Sequence, residues 1–165
     1  MSGLVLEGKA HKLGDHVNTD LIIPATYLVT NDPAELGCHL LEGHDPDFVS
    51  CVEPGDILVG GINFGSGSSR EHAPLAIKGA GMSCVIASSF ARIFYRNSIN
   101  VGLPILESPA AALAISEGDT LRIDVAAGTI EDVTTGQRFN VPAYPEFMQI
   151  LIDSGGLINY LKGQE

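Results

Sequence analysis

A mixed α/β domain is the fold class this sequence predicts, and three observations predict it. Over the first two thirds of the chain, short β-branched runs such as Asp56-Ile-Leu-Val-Gly-Gly-Ile62 and Ser83-Cys-Val-Ile-Ala-Ser88 alternate with stretches of helical character. Residues 120–125, 129–133 and 137–141 then form a cluster of short strands punctuated by Gly128 and Gly136. Interleaved strands and helices followed by clustered strands mean a mixed sheet flanked by helices. A chain of 165 residues that is 45% hydrophobic and 18% charged suits one domain, 1–165, with a sizeable core.

In chain order, residues 4–13 alternate apolar and polar well enough for a strand, and Gly14-Asp-His-Val-Asn-Thr-Asp20 follows as a polar loop. Leu21-Ile-Ile23 is stopped by Pro24. A short helix is expected from about Asp32, with Pro33 in its first turn and Gly37 or Gly43 as its stop. Pro54-Gly-Asp56 is a turn into the strand 56–62, residues 70–80 read as a helix, 83–88 as a buried strand and 90–100 as a helix. Pro104 interrupts the next apolar run, which suits an edge strand. Residues 109–116 look helical and close at Glu117-Gly-Asp119. The strand cluster reads as a small antiparallel sheet supplying core and subunit surface. Residues 145–154 and 156–162 end the chain as amphipathic helices, with Phe147, Ile150, Leu151, Leu157, Ile158 and Leu161 as core or subunit contacts.

The chemistry concentrates in Asn63-Phe-Gly-Ser-Gly-Ser-Ser-Arg-Glu-His-Ala73, a turn between the strand at 56–62 and the helix at 70–80. Gly65 and Gly67 let the backbone approach a ligand closely, and the free N–H groups of a first helical turn are anion donors. A carboxylate or phosphate is the natural ligand. The plainer alternative is a glycine-serine loop in which Ser68 or Ser69 caps the helix and a following glutamate completes a capping box. Arg70 is more than capping needs: a planar cation beside two hydroxyls at a positive helix end favours proton loss from a neighbouring serine. No Walker lysine follows, and the third glycine of a dinucleotide fingerprint is missing.

The formal net charge of −11 disfavours nucleic acid and anionic membrane as partners. No apolar run reaches the ~18 residues of a membrane helix and no leader-like segment opens the chain, so a cytoplasmic protein is expected. Cys38, Cys51 and Cys84 are odd in number and lack C-x-x-C spacing, which suggests free thiols in a reducing compartment. Cys38, His39 and His44 lack a fourth ligand at a familiar metal spacing, so no metal site is expected on this chain.

Phe64-Gly-Ser-Gly-Ser-Ser-Arg-Glu-His-Ala73, with Asn18-Thr-Asp-Leu-Ile-Ile-Pro24 and Ser88-Ser-Phe-Ala-Arg-Ile-Phe94, resembles the small subunits of 3-isopropylmalate dehydratase and homoaconitase, in order and over most of the chain. These correspond to the swivelling C-terminal domain of aconitase. The resemblance implies a swivelling β/β/α fold. It also implies a hydro-lyase reaction, the interconversion of 2- and 3-isopropylmalate by dehydration and rehydration in leucine biosynthesis. It implies Ser68 as the catalytic base, Asp20 as a residue positioning the catalytic groups, and Gly67, Ser69 and Arg70 as substrate binders, with Glu71 and His72 in support through capping and a hydrogen bond behind the site.

The same resemblance implies that this chain binds no cofactor and that a separate large subunit brings a [4Fe-4S] cluster, in a heterodimer or heterotetramer inactive without both chains. Three scattered cysteines are too few to hold such a cluster in the family's way. In the family, the loop matching Tyr27-Leu-Val-Thr30 faces the variable end of the substrate, and an arginine there marks enzymes that take an extra carboxylate. Val29 suits an isopropyl group instead, while Thr30 keeps homoaconitase, citramalate and dimethylmalate chemistry open. A non-catalytic anion-binding module would use the same turn without needing Ser68. RNA binding by analogy with aconitase is disfavoured by the acidic charge.

Overall fold

The structure, a computed structural model, describes residues 5–27, 29–67, 71–142, 145–156 and 161–162. Its elements are β1 (Val5–Lys12), α1 (Thr19–Ile22), α2 (Pro33–Gly37), β2 (Ile57–Gly60), α3 (His72–Gly79), β3 (Cys84–Ala87), α4 (Arg92–Asn100), β4 (Ile105–Glu107), α5 (Pro109–Ala114), β5 (Thr120–Asp124), β6 (Thr129–Asp132), β7 (Gln137–Asn140) and α6 (Glu146–Ser154). The strands form a seven-stranded mixed sheet in the order β4-β3-β2-β1-β5-β6-β7.

The two halves of that sheet share β1. Its second half, Ala10 to Lys12, runs parallel to Ile57–Val59 of β2, while Val5 to Lys9 runs antiparallel to β5. The strand cluster at 120–140 is therefore not the separate sheet its sequence suggests. Eight residues of β1 are long enough to serve two partners in succession, and doing so pairs backbone groups that two separate sheets would leave as open edges. The proline-interrupted run does lie at the edge, as β4.

Burial follows the pairing. Every residue of β2 and β3 is buried, the continuous apolar pattern of parallel strands covered on both faces. In β5 and β6 only alternate residues are buried, Leu121, Ile123, Ile130 and Asp132. The helices pack in a chain, α2 on α3, α3 on α4 and α4 on α6, with α5 against β3. Lys78 ties three of them: its Nζ donates to Val101 O at 2.7 Å and Gly155 O at 3.1 Å, and desolvation lowers its pKa.

Element ends obey local chemistry. Asn18 Oδ1 accepts from Leu21 N to cap α1, Asp32 Oδ1 from Ala34 N to cap α2, and Ser108 Oγ from Ala111 N to cap α5. In the final helix Leu151 and Ile152 are buried while Phe147 is exposed; Leu161 is exposed, and Leu157 and Ile158 lie outside the described residues. At the amino ends of the parallel strands, His11 Nε2 donates to the buried Asp56 Oδ2 at 2.7 Å, and Asp56 also accepts from Lys9 N and Glu53 N. Burial pushes the Asp56 carboxyl up, but those donors together hold it below its ordinary value. Among the described residues no helix is long and apolar enough to cross a membrane.

Candidate active site

The carboxyl ends of β1, β2 and β3 open on the same side of the sheet, where open α/β sheets carry their ligand sites. The loops leaving these strands are laced together by backbone hydrogen bonds. His16 N donates to Ile62 O (2.8 Å), Gly65 N to Val17 O (2.7 Å) and Thr19 N to Ser66 O (2.8 Å). On the other flank Phe64 N donates to Ser89 O and Ala91 N to Phe64 O, both at 2.9 Å. Two side chains reinforce the lacing, Asp15 Oδ1 accepting from Ile62 N and Ser89 Oγ from Asn63 N, each at 2.8 Å. The three sequence stretches that carry the family resemblance thus meet at one place.

Beneath them lies an aromatic floor. Phe64 is fully buried and meets Phe94 and Phe90 edge to face, at 5.4 and 6.0 Å between ring centres. Each such pair contributes about 0.5–1.5 kcal/mol beyond area burial. Gly65 presses directly on this floor: with φ +82° it lies in the left-handed region, and a Cβ there would stand 2.1 Å from Phe94 Cγ. Only glycine fits on both counts. His16 and Asn63 also take positive φ, 55° and 58°, so non-glycine strain gathers around this turn.

Gly67 stands exposed on the rim with φ +98°, its would-be Cβ position 3.3 Å from Thr19 Oγ1. Asp20 follows Thr19 in the first turn of α1 and is exposed. The fold therefore brings the Asp20 segment against the glycine turn across 47 residues of chain. Ser68, Ser69 and Arg70 lie outside the described residues, as does Leu28. Val29 is 92% exposed and Thr30 is partly buried, its Oγ1 accepting from Asp32 N. A cavity of about 710 Å³ lined by Asn31, Pro33, Glu71, His72, Leu75 and Lys78 joins the end of that loop to the start of α3. Arg92 and Arg96 are exposed on α4.

Two local expectations change. The helix begins at His72, not at residue 70, with Glu71 at the cap position and making no side-chain capping bond. Pro74 in its first turn has no N–H, so this helix end offers fewer donors than an unbroken start would. Among the described residues His72 Nε2 is buried without a hydrogen-bond partner, where the resemblance implies a bond behind the site. The sequence assigns no role to Asp15 or Ser89 as side chains that hold the glycine turn. No local signal marks these two bonds, because the partners lie 47 and 26 residues away.

The cysteines do not suit an iron–sulfur cluster. Cys38 and Cys51 are exposed on separate turns, and Cys84 is buried inside β3, where desolvation pushes its thiol far up. Among the described residues no three His, Cys, Asp or Glu side chains converge as a metal site.

Fold and site together define a protein of the aconitase C-terminal class, and the family model for the aconitase C-terminal domain matches residues 42–111. The 2,3-dimethylmalate dehydratase small subunit of Eubacterium barkeri is 57% identical over 96% of this chain and 98% of its own. The 3-isopropylmalate dehydratase small subunit of Caldicellulosiruptor bescii is 55% identical over 98% and 97%. A crystal structure of 3-isopropylmalate dehydratase from Methanocaldococcus jannaschii superposes with a TM-score of 0.90 at 44% identity, covering 98% of this chain and 95% of that one. The chain belongs to the dehydratase small-subunit family of the aconitase superfamily, with its swivelling β/β/α fold.

Proposed function

We propose that this protein, acting as one folded unit over residues 1–165, is the small subunit of a hydro-lyase that interconverts 2- and 3-isopropylmalate in the cytoplasm, within leucine biosynthesis. The observation that carries the reading is the junction of the Asn18–Asp20 segment with the Gly65–Gly67 turn, held by the Thr19 N to Ser66 O and Gly65 N to Val17 O hydrogen bonds. That junction holds together the two stretches whose residues the chemistry needs.

Moving a hydroxyl between adjacent carbons requires removal of a weakly acidic proton and departure of a poor leaving group. In this reading Ser68 Oγ takes the proton, favoured as an anion by Arg70 and the nearby peptide N–H groups. Ser69 and Arg70 hold a substrate carboxylate, the guanidinium through paired donors that a lysine cannot copy. Asp20, which follows the Thr19 that faces Gly67, orients these groups. Val29, apolar and exposed, meets the alkyl end of the acid. A [4Fe-4S] cluster on a separate large subunit supplies the Lewis acid that activates the leaving hydroxyl.

A second reading, 2,3-dimethylmalate as substrate, is favoured by the 57% identity to a subunit of that name and by Val29, which suits either alkyl group. Both are tested in a complex of this chain with its large subunit, by following the unsaturated intermediate in the ultraviolet with each acid. The acid with the higher kcat/KM is the substrate. Ser68→Ala is expected to lower kcat by roughly 10³-fold with KM little changed, the loss of a general base. Retained turnover would refute the catalytic role and favour a non-catalytic anion-binding module.

A further inference from the structure

The loop that carries Val29 and Thr30 is held at its start by side chains from a distant turn. Tyr27 Oη donates to Glu42 Oε1 at 2.5 Å, and His39 Nδ1 donates to Glu42 Oε2 at 2.7 Å. The Tyr27 and His39 rings stack face to face, 3.8 Å apart and 6° from parallel. One carboxylate therefore takes a proton donor on each oxygen while its two donors stack on each other. At its other end the loop is fastened by Thr30 Oγ1, which accepts from Asp32 N, and by Asp32 capping α2.

The turn that presents Glu42 is itself over-determined. Leu41 takes φ +56°, a conformation that a branched residue adopts at a cost of about 1–2 kcal/mol. It is held there because its side chain is fully buried and its N–H donates to Ile22 O at 2.8 Å. That bond joins the turn to the end of α1, the helix that bears Asp20.

Resting on the function proposed above, we infer that Tyr27, His39 and Glu42 are a clamp that fixes where the Val29 loop stands over the substrate's alkyl group, so that Tyr27 and Glu42 are positioning residues for substrate selection. Position in the chain points the same way: Tyr27 is two residues from Val29, and Glu42 closes the segment from behind. The side chains of His39 and Glu42 are 32% and 37% exposed, and a pair so open to water adds little to global stability. Its effect is local to the loop. The hydrogen bond with Tyr27 is also the largest cause holding the Glu42 carboxyl below its ordinary value, so Glu42 is an ionised acceptor at neutral pH.

The test uses the two-subunit complex carrying Tyr27→Phe, Glu42→Ala or Glu42→Gln, assayed with 2-isopropylmalate and with the more compact citramalate. Tyr27→Phe and Glu42→Ala are expected to raise KM for isopropylmalate roughly fivefold to tenfold with kcat within about twofold, the loss of a charge-assisted hydrogen bond. The ratio of kcat/KM between the two acids falls with it. Glu42→Gln keeps an acceptor oxygen for Tyr27 and stays nearer the wild type. An unchanged ratio in Tyr27→Phe and Glu42→Ala overturns the clamp, and so does an equal loss with both acids. If the wild-type complex is inactive on both acids, or Ser68→Ala stays active, the functional reading fails and the clamp's role with it. An active wild type, a silent Ser68→Ala and an unchanged ratio sink the clamp alone.

Discussion

The parallel half of the sheet, β4-β3-β2-β1, and the antiparallel half, β5-β6-β7, are built from the same material: short strands, of three to eight residues across the sheet. They differ in how the chain returns. Between parallel strands it must cross back, so the exits of β1, β2 and β3 all emerge at one end and their loops can be laced together. Between antiparallel strands it turns back at once, and the turns at 125–128 and 133–136 fall at opposite ends of β6. Burial differs too: strands covered on both faces give a rigid base, while β7 is mostly exposed. The lesson is that connection, not strand sequence, decides which half can hold a site.

Two glycines put that contrast to the test, since Gly65 and Gly136 have nearly the same φ, +82° and +80°. Gly65→Ala is the largest effect expected. It meets both the left-handed penalty and a clash with Phe94, and should lower stability by roughly 3 kcal/mol or more, read from denaturant unfolding of the chain. A loss under ~1 kcal/mol would mean the aromatic floor yields easily and the parallel half is not rigid at the site.

Val29→Arg comes next. In the complex it should lower kcat/KM for isopropylmalate by roughly tenfold or more and raise activity toward acids with an additional carboxylate. An unchanged preference would remove the loop from substrate selection.

Asp132 sharpens the comparison from the antiparallel side. It is fully buried, and its carboxyl is pushed up by desolvation and then by the facing Asp119. A folded-state pKa above the unfolded one means that Asp132's contribution is intact below the ordinary carboxylate range and is lost as pH rises through the folded value. Asp132→Asn, which keeps an oxygen for Thr135 N, should therefore raise the melting temperature at pH 7 and lose that advantage in acid. Turnover in the complex should be unaffected. A melting temperature unchanged at every pH would count against the raised value.

Gly136→Ala is the smallest effect. Nothing lies within 4 Å of the added methyl, so only the backbone penalty remains, about 1 kcal/mol. A loss as large as that of Gly65→Ala would erase the distinction between the halves.

Much of this architecture could be read from the chain itself. Local rules reach across a few residues, and they sufficed for Asp32 and Pro33 opening α2, for Pro104 marking the edge strand and for the buried runs of β2 and β3. They also sufficed to find the glycine-serine turn, because unusual residue types were adjacent in sequence. They failed at the start of α3, which the pattern predicts at residue 70 and which begins at His72, with Glu71 at the cap position and making no side-chain capping bond. The sequence by itself therefore determined most of the elements, the class of fold and the glycine-serine turn as the candidate site. Only the tertiary structure decided that β1 serves both halves of one sheet, that Asp15 and Ser89 bind the turn, and that Glu42 reaches Tyr27. Those are pairings between groups 15 to 119 residues apart, and no local propensity encodes a partner that only the path of the folded chain brings within hydrogen-bonding distance.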